Sequence, residues 1–157
     1  VLTNKELEKL RQLDDKNFQS KTIDISFKAD GKDGSLEKAL DRVCRYATDA
    51  VNDGYSIILL SDRKVDTDHA PIPSLLATAA VHHHLIREGL RGKVGIVVEC
   101  GDAWEVHHFA TLIGYGASAV NPYLAFETIL GMKRSGELQT ELSEEKLSYN
   151  FIKAVNG

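Results

Sequence analysis

Four short stretches of this 157-residue chain hold the side chains best placed to do chemistry: Phe27-Lys28, Ser61-Asp62-Arg63, Glu99-Cys100-Gly101-Asp102 and Asn121-Pro122-Tyr123. Each closes an apolar or alternating run that reads as a strand. In parallel α/β folds the carboxyl ends of the strands are where ligands bind. Asp62, Arg63 and Glu99 would converge there, two carboxylates and a guanidinium able to grip a small polar molecule. The same three side chains could instead cap loops and make salt bridges against a neighbouring domain. His69, Gly101, Asp102, Asn121 and Tyr123 complete the candidate strand-end or interdomain-interface set.

Four other readings carry less. His82-His83-His84 and His107-His108 are dense, but consecutive helical residues point about 100° apart, so a triplet cannot place three imidazoles on one ion. His82 and His83 fall on a helical stripe with Leu75, Ala79 and Ile86, which predicts packed core histidines and no metal site. Gly101-Asp102 at the start of a helix could cradle a phosphate on backbone N–H groups, yet it lacks the other glycines of a dinucleotide fingerprint and brings acids to the place an anion would sit. Cys100 sits in an apolar segment, and burial rather than nucleophilic chemistry is the expectation. Trp104 and Tyr123 read as packing residues. Catalytic, cofactor and metal residues are therefore assigned to none of these positions.

Positioning these groups requires an alternating scaffold. Thr3 and Glu6 have capping-box spacing, which predicts a helix from Asn4 to near Leu13. Asp14 to Lys21 reads as loop. Strands are expected over 22–27, 56–60, 94–98 and 117–120. Helices follow from Ser35 to near Val51, with Gly54 in the C′ place, then over 74–88, 103–115, 123–134 and 143–155. The Ser74 helix is apolar nearly all round in its first half and should be well buried. Asp102 and Glu105 are spaced as a second capping box. Strands alternating with helices imply parallel βαβ crossovers. The fold class is α/β with a four-stranded parallel sheet, either half-barrel-like, as a degenerate (β/α)8 relative, or a small doubly wound sheet. Residues 1–157 read as one domain.

Composition narrows the function classes. Nineteen Lys and Arg against 23 Asp and Glu give a net charge of −4, which opposes nucleic-acid binding or membrane-surface attachment. No run approaches the ~18 apolar residues that span a bilayer. The two cysteines, Cys44 and Cys100, form no Cys-x-x-Cys pair, so a disulfide framework is not expected and a cytoplasmic location is. Val1 opens the chain and Met132 is the only methionine, the mark of a processed chain or of a piece of a longer one.

Longer motifs carry a resemblance. Ser61-Asp62-Arg63, Ala70-Pro71-Ile72-Pro73-Ser74-Leu75-Leu76-Ala77 and Ala80-Val81-His82-His83-His84-Leu85-Ile86 resemble the central domain of the glutamate synthase large subunit. So do Val98-Glu99-Cys100-Gly101-Asp102, Glu105-Val106-His107-His108-Phe109 and Leu112-Ile113-Gly114-Tyr115-Gly116-Ala117. Ala119-Val120-Asn121-Pro122-Tyr123-Leu124-Ala125 and the opening Leu2 to Lys9 continue it over almost the whole chain. Lys64 and Trp104 depart from the pattern, standing where the family has Gly and Arg.

The resemblance implies a parent enzyme making two glutamates from glutamine and 2-oxoglutarate. An amidotransferase domain would release ammonia to an FMN domain served by an iron–sulfur cluster. This chain would hold neither FMN nor cluster. It would link the two reactive domains, help wall the ammonia path and lead, over roughly 143–157, into the FMN domain. Alone it is expected to be inactive and to self-associate through apolar surface around Tyr123, Phe126, Tyr149 and Phe151. The alternative is a stand-alone α/β enzyme or small-molecule binder using the strand-end pocket.

Overall fold

A computed structural model of the chain describes residues 1–13, 15 and 17–157. Asp14 and Lys16, within the loop expected over 14–21, lie outside the described residues. The elements are α1 (Asn4–Arg11), β1 (Ser20–Asp24), β2 (Ser26–Lys28), α2 (Ser35–Asn52), β3 (Ile57–Ser61), β4 (His69–Pro71), α3 (Ser74–Arg87), β5 (Gly95–Glu99), α4 (Val106–Gly114), β6 (Ala119–Asn121), α5 (Tyr123–Ser135) and α6 (Glu144–Asn156). Thr3 and Glu6 do form the reciprocal capping box that starts α1. Among the described residues no helix is long and apolar enough to cross a membrane.

The main sheet has the order β1-β3-β5-β6, and every pair is parallel. Its strand order follows chain order without a reversal. A doubly wound sheet needs such a reversal, so the half-barrel-like reading holds, and right-handed crossovers then place successive helices on one face. Alternate strand residues sort accordingly. Ile23, Ile58, Leu60, Ile96, Val98 and Val120 pack with residues of α2, α3 and α4 in the main core. Leu59 and Val97 point the other way and meet Leu7 of α1 in a second, smaller cluster.

The single strand expected over 22–27 is two. Asp24 Oδ1 accepts the Ser26 N–H at 2.9 Å, a local side-chain bond that turns the chain out of the sheet. Ile25, fully buried, donates its N–H to Ser61 and accepts from the Ile72 N–H. Beyond it β2 pairs antiparallel with β4 in a separate two-stranded ribbon.

Two helices also differ from expectation. In α3 the buried stripe is Ser74, Ala77, Thr78, Val81 and Leu85, whereas Leu75, Leu76 and Ile86 are exposed. Neither His82 nor His83, on that outer side, is buried. An almost uniformly apolar helix gives periodicity little to discriminate. His82 instead accepts from Arg91 Nε at 2.9 Å, and His84 bonds Thr48 Oγ1 at 2.8 Å. The helix expected from 103 starts at Val106 because the Nδ1 of His108 takes the N–H groups of Trp104 and Glu105. Finally, α6 folds back on the body. Phe151 meets Phe109 and Phe126 edge-on; Tyr123 and Phe126 are buried, and only Tyr149 of the expected apolar patch is well exposed.

Candidate functional site

Register brings Asp24, Ser61, Glu99 and Asn121 side by side at the carboxyl ends of the four strands. Glu99 is the centre of this row and is 1% exposed. An ionised carboxylate at such depth requires paired partners, and it has three. Ser61 Oγ donates to it at 2.5 Å, Arg63 Nε donates at 2.7 Å, and Arg11 reaches it from α1. Arg63 extends to Glu127 on α5 at 3.0 Å and lies over the Tyr123 ring at 4.1 Å. Arg11 also pairs with Glu8. The result is an alternating chain of charge, Glu8–Arg11–Glu99–Arg63–Glu127, running from α1 across the sheet end to α5.

Asp62 turns away from that chain. Its Oδ2 accepts the Gly101 N–H at 2.8 Å, and its Oδ1 is buried without a hydrogen-bond partner among the described residues. Burial first, with the nearby Asp102 and Glu99 charges adding to it, raises its pKa above the usual carboxylate range against the opposing effects of Gly101 and Tyr123. Burial and the Asp62 carboxylate likewise push the Tyr123 hydroxyl up. A Cβ at Gly101 would meet Leu124 and the Tyr123 hydroxyl at 3.3 Å, so the backbone is closed in there.

Asp102 serves a different helix from the one expected. It accepts the Ser74 N–H at 3.0 Å and the Ser74 hydroxyl at 2.6 Å, capping α3, whose own N-cap position, Pro73, offers no side-chain bond. With its N–H held by Asp62 and α4 beginning later, Gly101 has nothing left for a phosphate. Asn121, fully buried, donates to Leu2 O and Asn4 Oδ1 at 3.0 and 2.9 Å. His69 joins none of these bonds. It pairs with Asp66 at 2.9 Å on the surface, and that bond holds the Asp66 carboxyl below its ordinary range.

The structure thus brings together Asp62, Arg63, Glu99, Gly101, Asn121 and Tyr123, sets Asp102 beside them as a helix cap, and leaves His69 outside. The groups that could act are bound to one another. Cys100 is buried and its thiol is pushed up chiefly by burial, the opposite of what a nucleophile needs. Among the described residues no cluster of three His, Cys, Asp or Glu side chains could hold a metal ion. Sequence reasoning missed Arg11 and Glu127. Arg11 lies four positions after Leu7, one helical turn along the buried stripe of α1, and that spacing was the available signal. A groove of about 540 Å³ lies elsewhere, between α1, α5 and α6, with Phe126, Leu130, Tyr149 and Ile152 in its walls.

The family described as glutamate synthase central domain matches residues 1–157. The NADH glutamate synthase of Schizosaccharomyces pombe is 42% identical over 160 residues, covering 100% of this chain and 8% of that protein. The large chain of the NADPH glutamate synthase of Bacillus subtilis is 42% identical over 156 residues, 99% of this chain and 9% of its own length. The ferredoxin-dependent glutamate synthase of Spinacia oleracea is 41% identical over 169 residues, again 100% of this chain and 10% of its length. The chain therefore spans about a tenth of the length of these relatives.

Proposed function

The chain belongs to the glutamate synthase central-domain family, and on that premise we propose that it is the connecting, non-catalytic module of an enzyme that makes two glutamates from glutamine and 2-oxoglutarate. Its neighbours in that enzyme are an amidotransferase domain and an FMN domain with an associated iron–sulfur cluster. It holds the two apart at a fixed geometry and forms part of the wall along which ammonia passes, and residues 143–157 lead towards the FMN domain.

One observation carries this reading. The strand-end carboxylate that an α/β enzyme would use, Glu99, is sealed by Arg11, Arg63 and Ser61. A small molecule would have to displace two guanidinium groups to reach it. The stand-alone enzyme loses its site to the same three bonds. Two further features support a connecting role. Relatives named for NADH, NADPH and ferredoxin align over this chain at nearly the same identity, as expected of a part that does not meet the electron donor. Leu75, Leu76 and Ile86 of α3, with Trp104, Val106 and Ile113, are large apolar side chains left exposed, surface that neighbouring domains would cover.

The test is a flavin titration and a glutaminase assay on the purified chain. Neither stoichiometric FMN uptake nor ammonia release above a heat-killed control is expected, because hydrolysis needs an activated nucleophile with oxyanion donors. Either signal would overturn the proposal.

A further inference from the structure

We propose that α1 is a strap across the sheet, latched by Arg11 on Glu99, that lifts as a unit and uncovers the strand-end carboxylate while the rest of the fold stays closed. This goes beyond the connecting role, since it concerns motion within the chain.

The packing separates α1 from everything else. Its one fully buried side chain, Leu7, joins Leu59 and Val97 in a small cluster distinct from the main core, edged by the partly buried Leu2, Leu10, Ile57 and Ala119. Eight residues are fewer than the ~12–15 that an isolated helix needs to persist in water, so α1 is helical because it is docked. Its remaining ties form a single row. Leu2 N–H donates to Val120 O at 2.8 Å, Asn121 holds Leu2 O and Asn4 Oδ1, Ser20 Oγ donates to Leu10 O at 2.9 Å, and Arg11 pairs with Glu99. Elements held by little buried apolar surface and a few polar bonds open at free energies below global unfolding.

The electrostatics make the opening reversible. A buried carboxylate stripped of its only cation would penalise the open state heavily. Glu99 has two cations. When Arg11 leaves, Arg63 Nε and Ser61 Oγ remain on it, and Arg63 is itself steadied by Glu127 and the Tyr123 face. The uncovered seat is therefore preformed: an apolar floor of Leu59 and Val97 beside a carboxylate. It suits a helix carrying a leucine and, four positions on, a guanidinium. That is the chemistry of α1.

Native-state hydrogen exchange on the intact chain tests the strap. In the unmodified protein, α1 amides should exchange faster than those of α2, with a weaker dependence on denaturant. Arg11→Met should speed α1 exchange by ~10- to 100-fold, the equivalent of one charge-assisted hydrogen bond, and leave α2, β3 and β5 unchanged. Arg11→Lys should recover part of the loss. Equal rates and equal denaturant dependence for α1 and α2 in the unmodified chain would overturn the proposal. So would an Arg11→Met chain that exchanges faster everywhere or fails to fold, since α1 would then be integral to the core.

Discussion

The two faces of the main sheet are built from the same strands and hold together differently. On the crossover face, alternate residues of β1, β3, β5 and β6 enter one continuous core with α2, α3 and α4. On the α1 face the same strands contribute Leu59 and Val97 to a small apolar cluster and then Ser61, Glu99 and Asn121 to a polar row. Non-directional burial stabilises the first face and directional, charge-assisted bonds specify the second. An error on the first face is therefore shared by the whole fold. An error on the second can be confined to one short helix.

Truncation at matched depth exposes the contrast most strongly. Leu60 and Leu7 are both within 1% of full burial. Leu60→Ala should lower global stability by about 3 kcal/mol, the usual loss when a buried leucine leaves a cavity. Leu7→Ala removes the same atoms, yet it can subtract no more than the docking free energy of α1, after which the helix detaches and the main core is indifferent. Its shift in the denaturant midpoint should be less than half as large, with the loss concentrated in α1 exchange. Equal midpoint shifts would erase the distinction between the faces.

A glycine sharpens the comparison on the crossover side. Gly116 has φ +112°, and a Cβ there would sit 2.3 Å from His82 Nδ1. Arg91 donates to that same nitrogen and to the Gly116 carbonyl at 2.8 Å, so the imidazole can yield only by giving up its Arg91 bond. Gly116→Ala should cost about 2 kcal/mol from backbone strain and overlap. Thermal unfolding measures it, and His82→Ala in the same chain should recover part of the loss. No recovery would mean that backbone strain alone accounts for the effect.

These positions also show what could be read from the sequence. The four parallel strands were legible because Ile57 to Leu60 and Val94 to Val98 are continuous apolar runs, and α2 because Ala39, Val43, Ala47 and Ala50 keep helical spacing. The break at Ile25 was not, since alternation continues through it and only the Asp24 side chain, reaching Ser26 N–H, turns the strand. The orientation of α3 was hidden by apolar residues on every side. At the site, Asp62, Arg63 and Glu99 were legible as strand-end residues. Their partners were not, because Arg11 and Glu127 lie 88 and 64 positions from the residues they bind, and no local pattern encodes that pairing. Asp102 illustrates the same limit, its spacing from Glu105 pointing to its own helix while the fold gives it to Ser74.

The smallest effect is expected where the polar row borders the crossover core, at Asp62. Its carboxyl is raised mainly by burial, and one oxygen has no hydrogen-bond partner among the described residues. A carboxyl with a higher pKa folded than unfolded binds more protons in the folded state between the two values. Stability then falls as pH rises through that window and is level above it. Asp62→Asn keeps an oxygen for the Gly101 N–H and removes the ionisation, leaving Glu99, Arg63, Asp102 and Tyr123 in place around it. The substituted chain should gain stability relative to the original as pH rises from the acid side, reach a constant difference by neutral pH, and show a gain smaller than the loss at Gly116. Denaturant midpoints measured across acid to neutral pH decide it. A difference that does not change with pH would show that Asp62 titrates alike in the folded and unfolded states, and that burial at this edge of the polar row exacts no electrostatic penalty.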